Sequence, residues 1–194
     1  MSTYEFLTFL HVAAAIIWLG AGFLMAVLVL GAERAGDGMR EAGYHRDVGW
    51  LAPRLFIPAS FATLIFGILL VVDGSWTLDQ LWIMIALVGW VISFGLGFFY
   101  FKPEGERIGA MAMERGPDDP EMRSRLRRLN LVDRVQVLLL FLIVADMVLK
   151  PTGQDDGLLI AGALILAAAI AAAVIAMRRD EPGAARAAAP AQPR

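Results

Sequence analysis

The chain has 194 residues, 58% of them hydrophobic, and a mean hydropathy of +0.63. Ordinary globular chains are roughly 45–50% apolar, so this excess excludes a conventional soluble core. The formal net charge of −2 points to no nucleic acid or other polyanionic partner. The absence of cysteine excludes disulfides, thiolate zinc sites, iron–sulfur clusters and covalently attached c-type haem, and it leaves His11 and His45 as the only histidines.

Taken in chain order, five apolar segments are long enough, or nearly so, to cross a hydrocarbon layer about 30 Å thick as helices. They run over about 6–30, 55–72, 81–101, 131–149 and 158–177. In lipid the backbone must satisfy its own hydrogen bonds, and no polar–apolar alternation argues for a barrel. The expected class is therefore all-α: an integral membrane bundle of five transmembrane helices forming a single domain over residues 1–178. The first segment is too long for a signal peptide and follows no basic leader. Between the third and fourth segments, Asp119-Pro120-Glu121 reads as an N-cap, a first-turn proline and an acidic first turn. A helix is expected to start there and run unbroken into the fourth segment. The tail over 179–194 is rich in Ala, Pro and Gly and is expected to be disordered.

Charge placement sets the expected orientation. Sixteen of the seventeen Lys and Arg residues fall on one side, in the loop after the first segment, the loop after the third and the C-terminal tail; only Lys150 falls on the other. The positive-inside rule then puts the N-terminus outside and the C-terminus in the cytoplasm. The basic stretch Arg123–Arg128 is expected to face anionic headgroups.

Few residues within these segments can carry chemistry. His11 shares a helix face with the small residues Ala14, Ala15 and Gly22, so it is expected to face other helices. It reads either as a ligand or proton-relay group, or as a neutral imidazole making one interhelical hydrogen bond. Asp146 reads as an i,i+4 ion-pair partner of Lys150 or as a partner for His11, which sits at the same expected depth. Arg54, Asp133 and Arg134 cluster at the inner boundary and read as a salt-bridge network, with Gln136 adding an interhelical hydrogen bond. His45, in a loop beside Arg46 and Asp47, is expected to be exposed and incidental. Met25, Met84 and Met147 read as packing residues, as do Trp18 and Trp90; Tyr4, Trp50, Trp76 and Trp82 fit interfacial belts.

The stretch Phe9-Leu10-His11-Val12-Ala13-Ala14-Ala15-Ile16-Ile17-Trp18-Leu19-Gly20 resembles the first helix of a bacterial membrane superfamily that includes copper-resistance D proteins and HemJ-type protoporphyrinogen oxidases. The run Ala145-Asp146-Met147-Val148-Leu149-Lys150-Pro151, with Trp82-Ile83, resembles the uncharacterised family known as domain of unknown function 2269. The resemblance spans roughly Phe6 to Pro151 and implies a compact bundle in a bacterial inner membrane without an assigned reaction. The superfamily likeness implies haem b or copper at His11 as an alternative. Pro58, Thr63 and Gly67 also fall into a HemJ-like pattern. The segment over 81–101 lacks the basic residue that HemJ-type enzymes carry on a later helix, which argues against porphyrin oxidation. The leading expectation is a non-enzymatic membrane component or accessory protein, with a protein partner or a second copy of the chain as possible company.

Overall fold

The structure is a computed structural model that describes residues 2–187, with side chains through 179. Every regular element among the described residues is helical. Helix α1 covers Thr3–Ala35. Its start is fixed by a capping box, in which Glu5 N–H donates to Ser2 Oγ at 3.2 Å and Ser2 N–H donates to Glu5 Oε2 at 2.7 Å. Gly36, at φ 69°, ends it in the left-handed conformation that glycine adopts without steric cost. Asp37 then caps α2 (Gly38–Leu51), its side chain accepting from Arg40 N–H at 3.0 Å.

Helix α2 continues through a π-helical turn, Ala52–Phe56, into α3 (Ile57–Asp73). A second rod has the same plan: α4 (Leu81–Leu96), a π-helical turn Gly97–Phe101, and α5 (Lys102–Arg115). In both turns the closing bond spans five residues, from Ile57 N–H to Ala52 O and from Lys102 N–H to Gly97 O. The cause is proline. Pro53 lies within the first turn, Pro58 follows it and Pro103 follows the second; each lacks an N–H and clashes with the carbonyl four residues back. A wider turn accommodates the ring while the rod stays continuous. Helix α6 (Pro120–Leu149) begins as expected at Asp119, whose side chain accepts from Met122 N–H at 2.9 Å. Helix α7 covers Asp156–Ala187. Residues 179–187 of the expected disordered tail thus continue α7, and 188–194 lie outside the described residues.

Helix α1 packs on α3 and α6, α4 packs on α6, and α7 packs chiefly on α6. Four helical rods among the described residues are long and apolar enough to cross a membrane: Thr3–Ala35, Gly38–Asp73, Leu81–Arg115 and Asp156–Arg179. Helix α6 falls outside that set because Asp133, Arg134 and Asp146 interrupt its apolar stretch.

One feature was not legible as an element. The segment after α1 is a helix folded back onto α5, and together with the first half of α6 it forms a polar-surfaced cap at the arginine-rich end. Ala42, Ile108, Met111, Ala112, Met122, Leu126 and Leu129 form the cap's own buried core, with Tyr100 and Phe101 packed against it. The close approach of α2 and α5 depends on Gly105, where an added Cβ would stand 2.9 Å from the His45 carbonyl oxygen.

Candidate functional site

A cavity of ≈ 120 Å³ lies among α1, α3, α4 and α6 and extends toward the cap. Trp18, Gly22, Met25 and Val29 of α1 form one wall, and Phe94 of α4 and Val137 and Leu140 of α6 form others. Both π-helical turns contribute, through Ala52 and Phe56 of the first and Gly97, Phe98 and Phe101 of the second. The glycines keep the space open: a Cβ at Gly97 would meet nothing within 4 Å, and one at Gly22 would touch only Phe56 Cε1, at 4.0 Å. Trp90, Phe94 and Phe98 repeat every four residues and stack along α4 and into the π-helical turn, with Trp90 and Phe94 centroids 5.1 Å apart. Trp90 also donates its indole N–H to the Ser60 carbonyl at 3.1 Å, tying α4 to α3.

Polar groups interrupt this apolar lining at a few points. Ser93 is 2% exposed, and its Oγ has no hydrogen-bond partner. Gln136 donates from Nε2 to the Ser93 carbonyl at 3.4 Å, the interhelical bond expected of it, while its Oε1 is unpartnered. Asp133 lines the cavity one helical turn from Gln136, and Lys102 and His45 line it toward the cap.

The expected network of Arg54, Asp133 and Arg134 does not form. Arg54 donates to the Trp50 carbonyl at 3.0 Å and lies over the Trp50 ring, 4.5 Å from its centroid. Arg134 pairs instead with Glu33 of α1. Adjacent helical residues point about 100° apart, so Asp133 and Arg134 diverge, one to the cavity and one to α1.

His45 is the largest departure from expectation. It is 6% exposed, not a surface loop residue. Its Nε2–H donates to Asn130 Oδ1 at 2.7 Å, and Asn130 Nδ2–H donates to Glu41 Oε1 at 2.5 Å. Asn130 thereby joins α2 to α6. These groups lie outside the apolar stretch of the rod. Burial lowers the His45 pKa below the usual imidazole range, and the Asn130 bond opposes that. Burial likewise raises Glu41, against the bond from Asn130. Sequence reasoning missed Glu41 and Asn130 altogether; the available signal was the spacing Glu41–His45, which puts both on one face of a helix.

His11 makes one interhelical hydrogen bond. Its Nδ1–H donates to the Thr63 carbonyl of α3 at 2.8 Å, leaving the Nε2 lone pair. Gly67 makes room for the ring, since a Cβ there would stand 3.0 Å from His11 Cε1. His11, Thr63 and Gly67 are thus one contact. Asp146 belongs to neither partner expected of it. It is 8% exposed, and both its carboxylate oxygens lack a hydrogen-bond partner. Ile143, on the same face one turn away, lies against Gly89 of α4, whereas His11 is engaged by α3. The Lys150 ammonium instead sits 4.1 Å from the Trp76 ring centroid and 5.3 Å from that of Trp82. The left-handed backbone of Lys150, at φ 49°, ends α6 and directs its side chain away from the helical i,i+4 geometry. Trp76 also donates to the Tyr4 hydroxyl at 3.1 Å, so the expected interfacial aromatics Tyr4, Trp76 and Trp82 do gather at the end opposite the cap.

Long apolar helices, the burial of Asp146 and the aromatic cluster of Tyr4, Trp76 and Trp82 fit a multi-pass integral membrane protein, set in a lipid bilayer. The chain belongs to the family described as predicted integral membrane protein (DUF2269), which matches residues 5–151. Helix α7 lies beyond the matched region. No curated protein and no solved structure matches the chain.

Proposed function

We propose that the chain is a five-span protein of a bacterial inner membrane, N-terminus outside and C-terminus in the cytoplasm, acting as a non-enzymatic component that holds a small amphiphile between its helices. The cavity carries this reading. Buried polar atoms are normally hydrogen-bonded, and unpartnered Ser93 Oγ and Gln136 Oε1 beside a largely apolar wall are the few polar anchors a lipophilic ligand site uses. Counting α6 as the fifth span is supported by its packing among α1, α4 and α7 and by its charges. Asp133 lines the cavity, Arg134 pairs with Glu33 and Asp146 is buried; none requires lipid to solvate it. The one-sided basic residues support the orientation, and they favour anionic headgroups against the cap. Part of that charge is matched within the cap: Arg125 pairs with Glu104 at 2.8 Å and Arg115 with Glu121 at 3.0 Å.

A reporter fused after Arg194 is expected to be active only if it works in the cytoplasm; periplasmic activity would refute the orientation. Native mass spectrometry of the protein extracted in mild detergent should show a retained small molecule that Gly97→Leu, which fills the cavity, releases. Identical spectra for both proteins would refute the cavity as the working site.

A second reading rests on His11. A ligating imidazole usually donates its other ring N–H to a carbonyl, and Nδ1 does so to Thr63. His11 would therefore be the residue to hold haem b, which when bound would supply electron-transfer chemistry there. Copper fits less well, because among the described residues no group of three His, Cys, Asp or Glu converges. A Soret band lost in His11→Ala would favour this reading, and a colourless wild-type protein would remove it.

A further inference from the structure

We infer that the cavity selects an amphiphile bearing a primary ammonium group, with Asp133 as its counter-ion. This rests on the cavity reading above and adds the chemical class of the ligand. The argument starts from which atoms are unsatisfied. Gln136 Oε1 and Ser93 Oγ are buried without a partner, and Asp133 lines the same cavity. Its sequence neighbour Arg134 has its guanidinium paired with Glu33.

These three groups are close together. Asp133 and Gln136 are three residues apart on α6, so they lie on one face. The bond from Gln136 Nε2 to the Ser93 carbonyl brings that face against Ser93. Carboxylate and amide oxygens only accept, and a hydroxyl accepts as readily as it donates. A primary ammonium has three N–H donors and answers three such acceptors. A neutral alcohol has one donor and leaves two acceptors unmet.

The surroundings suit an amine on an apolar body. Trp18, Phe56 and Phe94 line the same space, and aromatic faces attract a desolvated cation while covering its apolar part. Lys102 also lines the cavity, toward the cap, and its ammonium lies over the Phe98 ring, 5.9 Å from the centroid. His45 also lines the cap end, where Asn130 holds its ring.

The test uses the full chain in phosphatidylcholine nanodiscs, with empty nanodiscs as the blank, and measures binding by calorimetry. The probes are 4-phenylbutylamine and its near-isostere 4-phenylbutanol. The wild type is expected to bind the amine at least tenfold more tightly than the alcohol. Asp133→Asn should abolish that preference while alcohol binding stays within about twofold. Gln136→Met, which removes a second acceptor, should weaken the amine several-fold and serves as the deciding variant if Asp133→Asn does not fold. Gly97→Leu should abolish binding of both probes. Equal binding of both probes by the wild type, or a preference that survives Asp133→Asn, would overturn the ammonium assignment and leave the cavity reading standing. Failure of both probes to bind, or binding unaffected by Gly97→Leu, would overturn both.

Discussion

Asn130→Ala is the sharpest perturbation of the cap. Asn130 is 2% exposed and holds two buried partners at once, accepting from His45 at 2.7 Å and donating to Glu41 at 2.5 Å. Truncation leaves an imidazole N–H and a carboxyl without partners in a buried site, and each orphaned group costs about 1–3 kcal/mol. The expected loss is therefore about 2–6 kcal/mol, with a little more for the small void. In a chain of this size 1 kcal/mol moves the midpoint by roughly 2–4 °C, so the melting temperature should drop by about 4–24 °C. Fluorescence-detected gel filtration after heating, in one detergent throughout, reads this directly. The logic makes a second demand. Replacing all three groups with apolar residues, Glu41→Met, His45→Phe and Asn130→Leu together, leaves nothing unsatisfied and should recover at least half of the loss. A single variant melting within about 2 °C of wild type, or a triple variant worse than the single one, would refute the account of a satisfied buried network.

Three further outcomes follow from named contacts. Gly67→Ala places a methyl against the His11 ring at 3.0 Å; it should lower the melting temperature by several degrees, and adding His11→Ala should relieve most of that, a coupling that a double-mutant cycle would measure. Because burial lowers His45, the unfolded chain binds its proton more readily, so stability should fall as pH drops below about 6.5 toward the lowered folded value. Glu41 is shifted upward and gains from protonation in the folded state, so Glu41→Gln should steepen that loss and His45→Gln should flatten it, as read from melting curves between about pH 7 and 5. Asp146→Leu removes a buried carboxylate that has no hydrogen bond to lose; it should leave the melting temperature unchanged or raise it by a few degrees, and a marked drop in that variant would point to a partner for Asp146.

Spans and single-helix signals were legible because they are local. The capping residues Asp119 and Pro120 lie beside the helix they start, and an apolar run of twenty residues has few alternatives in lipid. Groups that look across helices were not legible. The i,i+4 spacing of Asp146 and Lys150 describes a pair on an unbroken helix, but α6 ends at Lys150 in a left-handed turn, and the ammonium goes to Trp76 and Trp82. Arg134 finds Glu33, which lies 101 residues earlier. His45 looked exposed because its neighbours Arg46 and Asp47 are charged, yet those neighbours face water while His45 and Glu41 turn inward. Alternation of polar and buried positions within a charged stretch is what a short amphipathic helix looks like. The turn at Gly36 and Asp37 that folds α2 back onto α5 was the missing signal.

The prolines tie these observations together. Sequence reading assigned Pro53, Pro58 and Pro103 no role in bending helices, although proline inside an apolar segment is expected to end or kink it. Here each rod passes from bundle to cap without ending, and the strain is taken up in a widened turn at the junction. Those two turns supply Ala52, Phe56, Gly97, Phe98 and Phe101 to the cavity wall. The same junctions put α2 and α5 at the angle that lets Gly105 meet the His45 backbone. His45 then belongs to both regions, held by Asn130 in the cap and lining the cavity. Cap and cavity therefore arise from one device. A substitution that restores regular α-helix at either junction acts on both, whereas Asn130→Ala loosens the cap and leaves the π-helical turns in place.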